Sequence, residues 1–255
     1  MISLLDTGHL IAPLPQQHRT ANHHRACLML DEYGREVKAH IKAFPGDSKA
    51  LANELAGWIL HRAAGIEAAE RIWVIILSNA ELNALFPAVD WGSADEWPCL
   101  AVQHIAGQPV SAKAAELWTD ELAAWHSTAP CIAMAEWLWE IDGNAGNLIN
   151  TGRGEFAAID FADSFGGPDW TPGRLRKNTH SPFYNKRLHI AWGGMATPAQ
   201  RQAARESADQ HANILHRHWQ DISHWWSCLL KPKQVQAAHN FLQARAVPNW
   251  IDSRL

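Results

Sequence analysis

The pattern of apolar and polar positions divides the chain into two parts of different character. In the first hundred residues short apolar runs alternate with turns. Cys27 to Leu30 is such a run, Asp31-Glu32-Tyr33-Gly34 has turn chemistry, and Glu36 to Phe44 resumes as a strand. Alternation there places Val37, Ala39, Ile41 and Ala43 on one face and Lys38, His40 and Lys42 on the other. Pro45-Gly46-Asp47-Ser48 breaks the chain, with Ser48 suited to cap a helix. From Lys49 to Ala64 the period is helical: Leu51, Leu55, Trp58, Ile59 and Arg62 fall near one side, and Gly65 is placed to stop it. Ile72 to Leu77 and Cys99 to Ile105 predict two further strands.

Beyond Gly107 helical periods prevail. Ala112 to His126 and Ile132 to Ile141 read as helices. Leu148-Ile149-Asn150 and Phe156 to Ile159, joined by Thr151-Gly152-Arg153-Gly154, predict a hairpin. Phe165 to Pro182, rich in glycine, proline and polar residues, reads as an extended loop. From Pro198 the chain is mostly helical, with breaks at Lys231-Pro232 and Pro248. The expected architecture is α+β: a small mixed N-terminal lobe (residues 1–106) and a helical C-terminal lobe (107–255), with a ligand cleft between them.

Composition narrows the class. Of 255 residues, 47% are hydrophobic and 19% charged, which excludes a disordered chain. A formal net charge of −4 provides no global field for nucleic acid or an acidic membrane, although 15 histidines add positive charge below neutral pH. No run approaches the length of a membrane span, and Met-Ile-Ser-Leu-Leu-Asp has no basic leader, so a cytoplasmic protein is expected. Cys27, Cys99, Cys131 and Cys228 form no CxxC pair and read as buried small apolar residues.

The segment with the most chemical content runs from Glu140 to Ile149 and contains Asp142 and Asn147. A hairpin follows, and then Ala158-Ile159-Asp160-Phe161. Phosphoryl transfer needs little covalent help but much alignment and charge neutralisation. One carboxylate must orient the attacking hydroxyl, while an amide oxygen and a second carboxylate hold Mg²⁺ against the phosphates. The hairpin brings three such groups to one edge. The plainer reading is a polar turn in which Asn144 or Asn147 caps backbone groups. Lys42 on a strand and Glu54 on the next helix extend the pattern, because such a pair positions ATP phosphates.

The ordered set resembles the HipA-like kinases, a bacterial branch of the protein-kinase-like fold. The resemblance rests on His40-Ile41-Lys42, Asn53-Glu54, Ala63-Ala64-Gly65-Ile66, the Asp142 to Asn147 loop, Ile159-Asp160-Phe161 and Asn240 to Ala246. It implies a two-lobed protein-kinase-like fold and an ATP- and Mg²⁺-dependent serine/threonine kinase. In that reading Lys42 contacts the α- and β-phosphates, Glu54 holds Lys42, Asp142 is the catalytic aspartate, and Asn147 and Asp160 bind Mg²⁺. Gln103, His104 and Ile105 lie near the hinge that receives adenine. A protein substrate and an antitoxin-like regulator are implied partners. The chain departs from the wider pattern in three places: Glu140 stands where many kinase-like loops carry histidine, Phe161-Ala162 follows the second aspartate, and no Gly-rich loop lies between Thr7 and Ala26.

Other chemistries fit less well. His211, His216, His218 and His224 invite a metal, but no HExxH motif or completing carboxylate accompanies them. Ser127 and Ser164 lack a GxSxG elbow. Trp219, Trp225 and Trp226 read as packing anchors. The alternatives are a small-molecule phosphotransferase of the aminoglycoside or choline kinase type and a non-catalytic nucleotide-binding module. Arg174, Arg176, Lys177, Lys186 and Arg187 form a basic segment suited to docking an acidic protein surface.

Overall fold

The computed structural model describes residues 2–15, 23–46 and 48–255, and these form two compact units. One comprises residues up to Leu51 together with Ala69–Ala106; the other comprises Ala52–Ala68 and Gly107–Leu255. In the absence of a Gly-rich loop, Thr20-Ala21-Asn22-His23-His24 is the segment expected to cover the phosphates; of it, Thr20, Ala21 and Asn22 lie outside the described residues, as does Asp47.

In the first unit, strands β1 (Ser3–Leu5), β2 (Leu10–Pro13), β3 (His24–Leu30) and β4 (Glu36–Lys42) precede helix α1 (Ala50–Ala63). Strand β5 (Ile72–Ser78), helix α2 (Asn79–Leu85) and strand β6 (Glu96–Gln103) follow. The six strands form one sheet in the order β1-β5-β6-β4-β3-β2, antiparallel except for the β1–β5 pair. The expected alternation along β4 is observed: Ala39 and Ile41 are buried, while Lys38 is exposed. Their face packs with Cys27, Met29, Trp73 and Ile75 into the core of this unit. At the β3–β4 turn the buried Asp31 carboxylate accepts from the Tyr33 and Arg35 amides, both at 2.9 Å, and from Arg35 Nε at 2.8 Å. The Arg35 side chain leads in holding the Asp31 carboxyl down at about 2.

Nearly all of α1 belongs to the second unit. The Ala50 amide donates to Ser48 Oγ at 3.1 Å, consistent with the expected start. The expected apolar face needs correction, because Arg62 is exposed whereas Asn53, Glu54 and His61 are buried. Those polar side chains find partners within the unit, so the helix can be enclosed on more than one side.

The second unit continues with β7 (Gln108–Pro109), a 3-10 segment (Ala112–Trp118), α3 (Thr119–Ala124) and α4 (Thr128–Leu138). The single helix expected over 112–126 is therefore a 3-10 segment leading into a short α-helix. Strands β8 (Leu148–Gly152) and β9 (Glu155–Ala158) form the expected hairpin, with β7 on its edge. The expected loop over 165–182 instead contains α5 (Pro172–Asn178), capped by Thr171 Oγ1 with Pro172 in the first turn. Helices α6 (Lys186–Trp192), α7 (Pro198–Ala208), α8 (His211–Leu229) and α9 (Pro232–Arg245) complete the unit, with a 3-10 turn at Trp250–Ser253.

Trp225 and Trp226 are buried in this unit, and Trp226 Nε1 donates to the Ala52 carbonyl at 2.9 Å. Trp219 stacks on His239 with ring centroids 3.8 Å apart. Three cysteines are buried as expected, but Cys228 is exposed. No helix among the described residues is long and apolar enough to cross a membrane.

Candidate active site

Three segments of the second unit converge around the β8–β9 hairpin. The first is the loop after α4. Its polypeptide leaves the helix at Trp139, held in the left-handed region at φ 53°, and continues through Glu140 and Ile141 to Asp142. Asn147 closes the loop: its amide donates to the Asn144 carbonyl at 3.1 Å, and its Nδ2 donates to the Asp142 carbonyl at 2.6 Å. This commits the nitrogen end of Asn147 inward and leaves Oδ1 as the end with lone pairs to offer. Asn144 takes the capping role, with its Oδ1 accepting from the Gly146 amide at 2.7 Å.

The second segment leaves β9. The Ile159 amide donates to the Asn147 carbonyl at 3.0 Å, which fixes the residue before Asp160 against the closing residue of the loop. Asp160 and Phe165 both adopt left-handed backbone, at φ 64° and 61°. Such conformations cost about 1–3 kcal/mol each in non-glycine residues and persist only where surroundings enforce them. Here Gly166 donates to the Trp139 carbonyl at 2.9 Å, and Ile141 donates to the Asp163 carbonyl at 3.3 Å. The loop and the segment after β9 are thus joined on both sides of Asp142.

Helix α1 supplies the third. Asn53 Nδ2 donates to the Ala162 carbonyl at 2.7 Å and the Ser164 carbonyl at 2.9 Å, and Asn53 Oδ1 accepts from Trp170 Nε1 at 2.9 Å. Glu54 Oε2 accepts from the Phe161 amide at 3.0 Å. A side chain at Gly57 would overlap Phe161, and the His61 ring lies 4.3 Å from the Phe161 ring. Glu54, Gly57 and His61 share one helical face, so the backbone and ring of Phe161 are gripped together. Burial, the largest influence on His61, pushes its imidazole down to about 4, and its Nδ1 bonds the Gly57 carbonyl at 2.8 Å.

Charge at this site is concentrated. The Asp142 carboxylate is part-exposed; its Oδ1 accepts from Asn144 Nδ2 at 3.0 Å and from Lys186 Nζ at 2.7 Å. Among the described residues its Oδ2 has no hydrogen-bond partner. Burial raises the Asp163 carboxyl above its ordinary range, and Asp142, Asp160 and Glu140 add to the shift, while Lys186 opposes it. Beneath the loop Glu140 Oε1 and Arg187 Nη2 form a buried ion pair at 2.9 Å. Glu140, at the position where many kinase-like loops carry histidine, therefore anchors the loop to α6.

Asp142, Asn147, Asp160 and Glu54 are brought together in this unit. Lys42, Gln103, His104 and Ile105 belong to the first unit. There Lys42 is half-buried at the end of β4, paired in register with His24 and Leu100. His104 donates its amide to the Lys38 carbonyl at 2.9 Å, and its Nδ1 lies 3.1 Å from His40 Nε2. The Gln103 amide donates to the Arg71 carbonyl at 3.1 Å.

The basic segment needs correction at Lys186 and Arg187, while Arg174, Arg176 and Lys177 are exposed. Arg187 is buried against Glu140, Lys186 is engaged by Asp142, and Arg174 lies over the Trp139 ring at 5.4 Å. Asp163 and the role of Lys186 were not read from sequence; only the short spacing from Asp160 to Asp163 marked the former. Among the described residues no three histidine, cysteine, aspartate or glutamate side chains are grouped to hold a metal. The donors at the hairpin are instead one amide oxygen and carboxylates, which suit a hard cation such as Mg²⁺.

No protein-family model and no curated protein matches the chain. Among solved structures, the proinflammatory kinase CtkA of Helicobacter pylori is similar with a TM-score of 0.54 at 11% identity, over 94% of each chain. With the sheet of the first unit and the hairpin and helices of the second, this similarity establishes a kinase-like α+β fold for the chain.

Proposed function

We propose that the protein is an ATP- and Mg²⁺-dependent phosphotransferase, a HipA-like kinase that transfers to a serine or threonine hydroxyl of a protein. The observation that carries this reading is the double closure at Asn147. Its side chain binds the Asp142 carbonyl and its own carbonyl binds the Ile159 amide, so the Asp142 loop and Asp160 are set at one end of one hairpin. The likeness of the fold to that of a bacterial kinase supports the same class.

In this mechanism Asp142 Oδ2 receives the acceptor hydroxyl, orients it and takes its proton as the acceptor oxygen bonds the γ-phosphorus of ATP and the bond to the bridging oxygen breaks, releasing ADP. Asn144 and Lys186 hold the other oxygen and restrict rotation of the carboxylate. Asn147 Oδ1 and the Asp160 carboxylate hold Mg²⁺, which neutralises phosphate charge when bound. Glu54 and Asn53 keep the backbone after Asp160 in place. Lys42, half-buried where Lys38 is exposed, is the lysine assigned to the phosphates.

Purified protein incubated with Mg-ATP and a cell lysate should create new phosphosites detected by mass spectrometry, and Asp142→Ala should abolish them. Equal phosphorylation by the variant, or no ATP turnover by the native chain with any acceptor, would overturn the reading.

A further inference from the structure

The cations nearest the Asp142 loop are disposed in different ways. Arg187 is buried against Glu140 beneath the loop, and Arg174 lies over the Trp139 ring. Lys186 is the one cation among the described residues that pairs with the Asp142 carboxylate. Its Nζ donates to Oδ1 at 2.7 Å and makes no other hydrogen bond among those residues. An ammonium has three N–H bonds, so two remain to be used. The pair is accessible, with the Lys186 and Asp142 side chains 38% and 41% exposed.

The main chain that carries this lysine is fixed on both sides. Asn185 before it is buried; its Oδ1 accepts from the Leu188 amide at 3.2 Å, and its Nδ2 donates to the Ile132 carbonyl at 3.2 Å and Glu136 Oε1 at 3.0 Å. Arg187 after it is tied to Glu140, two residues ahead of Asp142. The start of α6 is thus held in register with the loop while the lysine stem stays free to swing. A compact ammonium on such a stem suits a group that must follow a moving charge, whereas the planar guanidinium of Arg187 suits a fixed tie.

Charge around the pair is one-sided. Burial leads in raising the Asp163 carboxyl, Asp142, Asp160 and Glu140 add to it, and Lys186 is the cation that opposes them. A phosphoryl group in transfer is itself anionic, with its charge spread over three oxygens, and these carboxylates repel it. The acceptor hydroxyl is assigned to Oδ2 of the same carboxylate whose Oδ1 holds Lys186. A phosphorus poised about 3–3.5 Å from that hydroxyl therefore lies within reach of the lysine stem.

Resting on the phosphotransfer reading, we propose that Lys186 is a further catalytic residue, whose ammonium bridges Asp142 Oδ1 and an oxygen of the γ-phosphoryl group as it passes to the acceptor. The acceptor oxygen bonds the γ-phosphorus, and the bond to the bridging oxygen breaks with its electron pair leaving on ADP. The hydroxyl proton goes to Asp142 Oδ2. Lys186 keeps its own proton throughout and acts by charge and hydrogen bonding alone.

Calorimetric titration of the full chain with Mg-ADP, alone and with fluoroaluminate as a mimic of the phosphoryl group in transfer, separates this role from mere positioning of Asp142. Fluoroaluminate should tighten Mg-ADP binding by the native chain. Lys186→Met should bind Mg-ADP alone as the native chain does and lose about 10–100-fold in affinity for the fluoroaluminate complex. Lys186→Arg keeps a cation and should retain most of that affinity. Asn144→Ala removes the other hydrogen bond to Oδ1, so it should slow transfer and leave the fluoroaluminate complex intact. Undiminished affinity for that complex in Lys186→Met, an equal loss in Asn144→Ala, or no tightening by fluoroaluminate in the native chain would overturn the proposal. Each of those results leaves the phosphotransfer reading standing, whereas a native chain that binds no Mg-ADP would overturn both.

Discussion

Two buried guanidinium–carboxylate neighbourhoods flank the C-terminal end of α4, and they are built in opposite ways. Glu140 and Arg187 meet at 2.9 Å beneath the Asp142 loop. Glu136 and Arg245 make no hydrogen bond to each other and share a cavity instead. The consequence is visible in the two arginines. Burial opposes the charge of both, but Glu140 leads the contributions that raise Arg187 above the ordinary arginine range. Burial brings Arg245 down to about 9 despite the presence of Glu136. The same residue types thus meet in an ion pair in one place and stand apart in the other, although Arg187 Nε and Nη1 and Glu140 Oε2 are also buried without a hydrogen-bond partner among the described residues.

Breaking the ion pair should have the largest effect on folding. Arg187→Met leaves Glu140 buried and unpaired and should cost about 3–5 kcal/mol in urea unfolding. Adding Glu140→Gln to that variant should recover most of the loss. Arg245→Met breaks no hydrogen bond within the described residues and should cost clearly less. Equal costs for the two single variants would remove the contrast.

The pH dependence sharpens it. In the fold Glu136 holds its proton up to about pH 7, against an ordinary value of 4.5. Between those values the native chain binds more protons than the unfolded chain, so the Glu136 contribution to stability falls as pH rises through this window and is flat above it. Relative to the native chain, Glu136→Gln should therefore gain up to about 3 kcal/mol between pH 4.5 and 8. His61 works the other way: its proton affinity is lowered from 6.5 to about 4, so its contribution is lost as pH falls through that window. A stability difference between the two proteins that does not change with pH would contradict the placement of Glu136.

A smaller effect is expected where α6 meets the reaction. Lys186→Met removes the cation on Asp142 Oδ1 without touching the Arg187 tie, and should lower kcat about 10–100-fold with little change in the KM for ATP. A merely structural role would move the urea midpoint and leave kcat alone.

What the sequence revealed followed contact range. The hairpin, Asp142, Asn147 and Asp160 lie within one stretch of chain, so spacing and turn chemistry disclosed them together. Alternation along β4 likewise separated buried Ile41 from Lys42 because a strand repeats every two residues. The tie from Glu140 to Arg187 and the hold of Lys186 on Asp142 join positions far apart in sequence, and no period records them. Their cations were read as a free docking patch for that reason. Helix α5 was missed although a local signal existed: Thr171 followed by Pro172 is an N-cap with proline in the first turn, but Gly173 and the surrounding glycines and prolines masked it. Helix α1 shows a third limit. The helical period put Arg62 on its apolar side, whereas Asn53 and Glu54 are buried because the backbone after β9 supplies their partners, and His61 because it packs on the Phe161 ring.

The central claim is that Asp160 and Asn147, set together at one end of the hairpin, hold the metal of a phosphotransfer site. Isothermal titration calorimetry of Mg-ATP into the native protein and into Asp160→Asn tests it directly, with unfolding midpoints confirming that both are folded. The account predicts Mg²⁺-dependent binding by the native chain and loss of most of that affinity in the variant. Unchanged Mg-ATP affinity in folded Asp160→Asn would contradict it.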